Sequence, residues 1–284
     1  MSDELAIGFS PCPNDTFMFH ALVAGAVPGL RVAPWLADIE ALNERALAGV
    51  GALPITKVSV HALGHLRGRY AALATGAALG RGCGPLVVAR PGLAEQEAPR
   101  AALRRLEGRR VAIPGRYTTA YLLLRALTSA ALEVVPMSFS AILPAVAAGL
   151  VDAGLIIHES RFTYPAHGLV ALADLGALWE AETGLPLPLG VIAAERGLAA
   201  TLVGRVEEGI RSSIIAAQAR PGAAWPYVRA HAQEMNEVVC RQHIALYVND
   251  FSLELGDEGR AAITALLARG EAAGLLPAGS SPWR

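Results

Sequence analysis

The chain has 284 residues, of which 53% are hydrophobic and 17% charged. This balance excludes a disordered protein and leaves room for one large domain or about two of ~150 residues each. The 24 Lys and Arg nearly cancel the 25 Asp and Glu, so the net charge is -1 with no long run of either sign. That argues against nucleic acid as a partner and for small molecules.

Cys12, Cys83 and Cys240 are three in number and far apart, so they form neither a disulfide framework nor a CxxC pair. Reduced thiols fit a cytoplasmic protein. The acidic start Met1-Ser2-Asp3-Glu4 lacks the basic stretch and apolar run of a secretory signal. No run of ~20 apolar residues is free of charges and turn residues, so no membrane span is expected.

In chain order, short apolar or β-branched runs alternate with longer helical patterns. Leu5–Phe9 reads as a strand before a helix at Phe17–Ala24, Leu30–Leu36 before Ile39–Leu47, and Gly51–Ile55 before Val58–Leu66. The segment Gly80-Arg81-Gly82-Cys83-Gly84-Pro85 leads into a strand at Leu86–Ala89. The rhythm returns with Arg110–Pro114 before Ala120–Ala130, Leu132–Met137 before Ala141–Ala148, and a strand at Ala153–His158. Gly184–Pro188 then leads into Leu189–Ala193, and helical patterns fill 198–219, 222–233, 236–247 and 257–273. A Gly/Ser/Pro tail from Pro277 reads as loose, and no internal repeat occurs.

This alternation predicts an α/β fold of two lobes. Residues 1–86 and 187–284 are expected to form a discontinuous lobe one with C-terminal helices, and 87–186 an inserted lobe two. Two crossover segments would join them around a cleft. Ligands of open α/β sheets sit beyond the carboxyl ends of strands, so polar residues there are the candidates.

Four segments stand out. Ser10-Pro11-Cys12-Pro13-Asn14-Asp15 ends a strand and opens a helix, with Asn14 or Asp15 able to cap; it is either an anion site or a rigid turn. Cys12 has no activating partner nearby in sequence, so no thiol nucleophile is expected. Lys57 and Ser59, read at a strand end before a helix, suit an acidic ligand or a surface lysine beside a cap. In Gly115-Arg116-Tyr117-Thr118-Thr119, two hydroxyls stand at a helix start, an oxyanion cradle or an everyday cap, without the spacing of a phosphate-binding loop. Finally, an apolar strand delivers His158 into the polar cluster Glu159-Ser160-Arg161, a place for a general base whose ring Glu159 or Ser160 could orient. Arg161 would pair with Glu159 or reach a substrate carboxylate, and Asn43 is expected to face solvent.

His61 and His65 have the i, i+4 spacing of a metal pair without a third ligand, and read as a helix face. Cys240 and His243 are close in sequence and partnerless. No GxSxG elbow occurs, and the short glycine run at 80–84 precedes a strand rather than a helix, against a dinucleotide site.

Taken together, GFSPCPNDTFMFHALVAG at 8–25, TKVS at 56–59, GRYTTAYLLLRAL at 115–127, GLIIHESRFTY at 154–164, DLGALWEAETGLPLPLG at 174–190 and YVNDFSLELGDEGR at 247–260 resemble the 1,4-dihydroxy-6-naphthoate synthases of the futalosine route to menaquinone. The resemblance spans nearly the whole chain. It implies a two-lobed fold like type 2 periplasmic binding proteins, with the site between the lobes and no metal or organic cofactor. It implies a lyase that converts cyclic dehypoxanthinyl futalosine to 1,4-dihydroxy-6-naphthoate. The histidine of the HES motif falls on His158 as proton acceptor, and substrate contacts fall on Lys57, Val58, Ser59, Thr118 and Thr119. Ser10, Asn14 and Asp15 are added from the reading of the first segment. Two alternatives stay open: the related chorismate dehydratase type of enzyme, and a non-catalytic binding protein for a small carboxylate.

Overall fold

The computed structural model describes residues 4–93, 97–233 and 236–284. In chain order the elements begin with β1 (Leu5–Phe9), α1 (Pro13–Val23), β2 (Val32–Leu36), α2 (Ile39–Ala48), β3 (Ile55–Ser59), α3 (Val60–Leu66), β4 (Tyr70–Ala72) and β5 (Ala78–Gly80). They continue with β6 (Leu86–Ala89), α4 (Pro99–Arg104), β7 (Arg110–Ile113), α5 (Thr119–Leu127), β8 (Glu133–Pro136), α6 (Phe139–Ala147), β9 (Ala153–Ile156), α7 (Ser160–Thr163), β10 (Val170–Asp174) and α8 (Leu175–Thr183). The chain closes with β11 (Leu187–Glu195), α9 (Ala200–Ala219), α10 (Pro221–His231), α11 (Glu237–Tyr247), α12 (Asp250–Leu253) and α13 (Gly256–Ala272).

The strands form two mixed sheets. The first runs β2-β1-β3-β11-β4, with β5 also on β11, and the second runs β10-β6-β9-β7-β8. The first therefore draws on residues 5–80 and 187–195, and the second on 86–174. In each sheet consecutive βαβ units supply parallel pairs, β1 with β2 and β7 with β8, while the strands next to the crossovers, β6 and β11, pair antiparallel.

Burial explains the local choices. Pro13 opens α1, where its missing N–H costs nothing, and almost every residue of α1 is buried. All five residues of β3 are buried because β1 and β11 flank it. One apolar cluster takes Val58, Tyr70, Leu187 and Val191 from the first sheet and Val87, Val111 and Leu155 from the second, with Leu122 and Leu123 of α5 and Ile263 and Leu266 of α13 between them. The two sheets thus share a continuous core.

Four sequence expectations are corrected. The third strand is Ile55–Ser59, not Gly51–Ile55, so Lys57 and Ser59 lie within β3; pairing with β11 extends the strand to the residue before α3. The strand before His158 ends at Ile156. The tail is anchored: Ala72 N–H donates to Pro282 O at 2.8 Å, Arg67 Nη2 to Pro277 O at 2.6 Å, and Arg196 Nη1 to Trp283 O at 3.1 Å. Arg161 does not pair with Glu159. Its guanidinium donates to Gly84 O at 2.6 Å and Asp174 Oδ2 at 2.7 Å, clamping the first crossover to the end of β10.

At that clamp the first crossover meets the first turn of α8 backbone to backbone, and a Cβ on Gly84 would lie 2.3 Å from Gly176 Cα. Overpacking against backbone has no soft neighbour to yield. Gly84→Ala is expected to lower stability by about 1–3 kcal/mol; an unchanged denaturant midpoint would show that the first crossover and α8 separate freely.

Candidate active site

A cavity open to solvent lies between the two sheets. Asn14, Lys57, Ser59, Leu189 and Gly190 line it from the first, Thr118, Thr119, Ile157 and His158 from the second, and His243 and Tyr247 from α11. Its apolar wall includes Ile39, Ala78, Pro85 and Ile157.

Behind the wall sits Asp15, fully buried at the start of α1. Its Oδ2 accepts from Ser10 N–H at 3.0 Å and Ser10 Oγ at 2.7 Å. Its Oδ1 accepts from Asn14 Nδ2 at 2.9 Å and pairs with the ammonium of Lys57. Asp15 is thus not a helix cap: the residue before α1, Cys12, makes no side-chain cap, and the carboxylate of Asp15 instead binds the end of β1 to β3. Lys57 is buried rather than a surface lysine. The period-2 alternation of β3 presents Lys57 and Ser59 to the cavity and sends Val58 into the apolar core. Ser10, Asp15 and Val58 therefore lie one layer behind the cavity surface.

Ser59 does not cap α3. Its Oγ accepts from Asn43 Nδ2 at 3.0 Å, and its N–H donates to Asn43 Oδ1 at 2.9 Å. Asn43 is fully buried, contrary to its expected exposure, because α2 packs on β3. The same amide donates to Glu40 Oε2 at 3.0 Å, and Glu40 Oε1 accepts from Tyr117 N–H at 2.9 Å across the cleft. A Cβ at Gly115, whose φ is 151°, would meet Glu40 Cδ at 2.2 Å, so glycine permits this approach.

Thr118 is the N-cap of α5, its Oγ accepting from Tyr121 N–H at 3.3 Å and donating to Gly115 O at 2.9 Å. Thr119 Oγ donates to Leu189 O of β11 at 2.6 Å. Both line the cavity, so the first turn of α5 faces it, and first-turn N–H groups have no intrahelical partner.

His158 is the one non-glycine residue with positive φ among the described residues, at 56°. This left-handed conformation, two residues beyond the end of β9, is uncommon for a residue with a Cβ and goes with an imidazole that lines the cavity. Neither Glu159 nor Ser160 orients the ring. Cys12 Sγ lies 3.5 Å from Nδ1, and Phe139 packs edge-on with ring centroids 4.8 Å apart. Burial, then the carboxylates of Glu159 and Asp15, push the Cys12 thiol well above its usual range and keep it protonated. Cys12, His158 and Glu159 place possible ligand atoms within 4.8 Å of one another.

Sequence reasoning missed Tyr247 and left His243 without a partner. In fact His243 Nε2 lies 2.9 Å from Asn14 Oδ1, and Tyr247 OH donates to Cys83 O at 3.0 Å. The signal was present: Cys240, His243 and Tyr247 form the buried stripe of α11 at spacings of three and four, where a histidine needs a partner.

His61 and His65 pack beside Tyr117 rather than forming a metal pair, with His61 Nδ1 3.2 Å from Thr118 O. Burial, with the neighbouring His65, lowers the His61 pKa from 6.5 to about 4.

Two sheets joined by two crossovers, with polar groups from both in the cleft, define a protein of periplasmic-binding-protein-like fold. The alkanesulfonate-binding protein SsuA from Xanthomonas axonopodis pv. citri superposes with a TM-score of 0.71 over 97% of this chain and 94% of its own, at 15% identity, which shows the fold alone. A crystal structure of a protein from Archaeoglobus fulgidus is more similar, with a TM-score of 0.88 and 34% identity over 97% and 99% of the two chains. The sequence profile of a family described as menaquinone biosynthesis matches residues 5–272. A 1,4-dihydroxy-6-naphthoate synthase from Thermus thermophilus is 51% identical over 99% of this chain and 98% of its own length. The chain belongs to this family of menaquinone-biosynthesis enzymes. Among the described residues, no helix is long and apolar enough to cross a membrane.

The buried titratable groups make two outcomes measurable. Lys57→Met strands the Asp15 carboxylate and should cost about 3–5 kcal/mol in denaturant unfolding, part of which a second change, Asp15→Asn, restores; additive losses would show that the pair is not coupled. His61 is held neutral in the folded state, so its contribution is present above pH 6.5 and is lost as pH falls toward about 4. Over that window His61→Gln should flatten the decline of stability with falling pH, as followed by denaturant midpoints at each pH, whereas an unchanged slope would place the proton uptake elsewhere.

Proposed function

We propose that this enzyme is a carbon–carbon lyase that converts cyclic dehypoxanthinyl futalosine, a small carboxylate, to 1,4-dihydroxy-6-naphthoate, with His158 as general base. The observation that carries the reading is His158 itself, held in a left-handed turn with its ring in the cavity wall. Strain of this kind persists where the surroundings impose it, commonly at sites that use it. The activity named for the relative from Thermus thermophilus supports the choice of reaction.

The site suits each part of such a substrate. Its aromatic carboxylate would meet the Lys57 ammonium, the Ser59 hydroxyl and the first turn of α5 at Thr118 and Thr119, where helix N–H groups favour an anion. Its ring system would lie between Ile39, Ala78, Pro85, Ile157 and Leu189, with Asn14 at the polar end. Ser10 and Asp15 act indirectly, by holding Lys57 and Asn14.

His158 would then take a hydroxyl proton. The electrons of that O–H bond form a carbonyl on the departing fragment, the adjacent C–C bond breaks, and its electron pair enters the ring system, which takes the proton back from His158 and whose aromatisation drives the step. Proton transfer by a positioned base contributes about 10²–10⁴-fold.

Incubation of the purified protein with the cyclic substrate, followed by mass spectrometry, tests the reading. Asn tolerates the left-handed backbone of residue 158, so His158→Asn isolates the base. The native protein should form the naphthoate, and the variant should bind substrate yet turn over about 10²–10⁴-fold more slowly. Turnover by the variant within a few-fold of the native rate would remove His158 as base. No product from the native protein, with tight binding of another carboxylate, would favour the chorismate-type or binding-protein reading.

A further inference from the structure

The buried pair formed by His243 and Glu159 has no part in the chemistry above. Asn14 Nδ2 donates to the Asp15 carboxylate, which only accepts, so the amide is oriented with Oδ1 toward His243. His243 Nε2 must therefore carry the proton that it donates to Asn14 Oδ1 at 2.9 Å. Burial, then the charges of His158 and Lys57, holds the His243 pKa well below 6.5 and keeps the ring neutral, so Nδ1 presents a bare lone pair. That lone pair faces Glu159 Oε2 at 3.9 Å. The approach is too long for a hydrogen bond, and an ion pair would need the protonated ring that burial disfavours. Both atoms are buried and neither has a hydrogen-bond partner among the described residues. Two acceptors thus face each other, His243 in the cavity wall and Glu159 behind it next to His158, with the rings of His243 and His158 6.1 Å apart.

Resting on the reaction proposed above, we infer that His243 Nδ1 and Glu159 Oε2 form a two-acceptor subsite for neighbouring hydroxyl groups of the substrate's saturated ring. Each acceptor takes one O–H. Buried acceptors without donors cost free energy, so the pair favours a ligand that brings two donors and disfavours a carboxylate or ketone at the same place. The substrate is thereby directed: carboxylate toward Lys57 and α5, hydroxylated ring toward His243 and Glu159, next to the base. The product, which has lost the sugar-derived carbons, no longer engages the subsite. Sites built to hydrogen-bond a hydroxyl discriminate strongly against ligands that lack it.

Calorimetric titration in the His158→Asn background, where substrate survives, tests this. Cyclic dehypoxanthinyl futalosine and 1,4-dihydroxy-6-naphthoate would be titrated separately into that protein and into versions also carrying His243→Phe or Glu159→Met. The expected result is a loss of about 10- to 100-fold in substrate affinity with product affinity unchanged. Glu159→Met, of similar length and without an acceptor oxygen, keeps the test decisive if His243→Phe does not fold. Equal weakening of both ligands would reduce the pair to a structural role, and unchanged substrate affinity would remove the subsite. If the His158→Asn protein binds neither compound, the proposed reaction itself fails, and the subsite falls with it.

Discussion

A single buried carboxylate organises this molecule. Asp15 has no exposed surface, and a charge so placed is tolerable only when hydrogen-bonded and paired. Meeting that demand takes the backbone and hydroxyl of Ser10, the amide of Asn14 and the ammonium of Lys57. The end of β1, the first turn of α1 and the middle of β3 are therefore bound at one point. Because Asn14 is oriented there, its oxygen fixes the proton position on His243, which arrives from α11 more than two hundred residues later. Stability of the first sheet and the polarity of the cavity wall have the same physical origin.

The second constraint is the closeness of the sheets. Glu40 to Tyr117, His61 to Thr118 and Thr119 to Leu189 are polar contacts that span the cleft, and the shared apolar core lies behind them. Without these the first turn of α5 and the turn bearing His158 would not stand opposite Lys57 and Ser59. The same architecture serves binding proteins, and a fold alone does not supply chemistry. What distinguishes this cleft is an imidazole held in an unusual backbone conformation within its wall.

Much of this was legible in the chain. The α/β alternation followed from hydrophobic periodicity, and His158 stood out because a buried strand that ends in a polar cluster has little structural reason to do so. Asn43, Arg161 and His243 were misread for a shared reason: each is polar on an ordinary helix or turn, and its partner comes from a distant segment. Asn43 serves Ser59, Arg161 clamps Gly84 to Asp174, and His243 meets Asn14. The misplaced third strand is of the same kind, since β3 extends through Ser59 only because β11 returns beside it.

By itself the sequence determined the class of fold, the family, and the residue types available at strand and helix ends, because these depend on local periodicity, capping and contiguous motifs. Tertiary structure alone decided which of those residues face the cavity. Strand alternation put Lys57 and Ser59 on its surface and Val58 behind it, and the packing of α11 brought His243 and Tyr247 to the wall. The reason is physical: burial, tautomer and hydrogen-bond partner are properties of a side chain's surroundings, and those surroundings are assembled from parts of the chain that lie far apart in sequence.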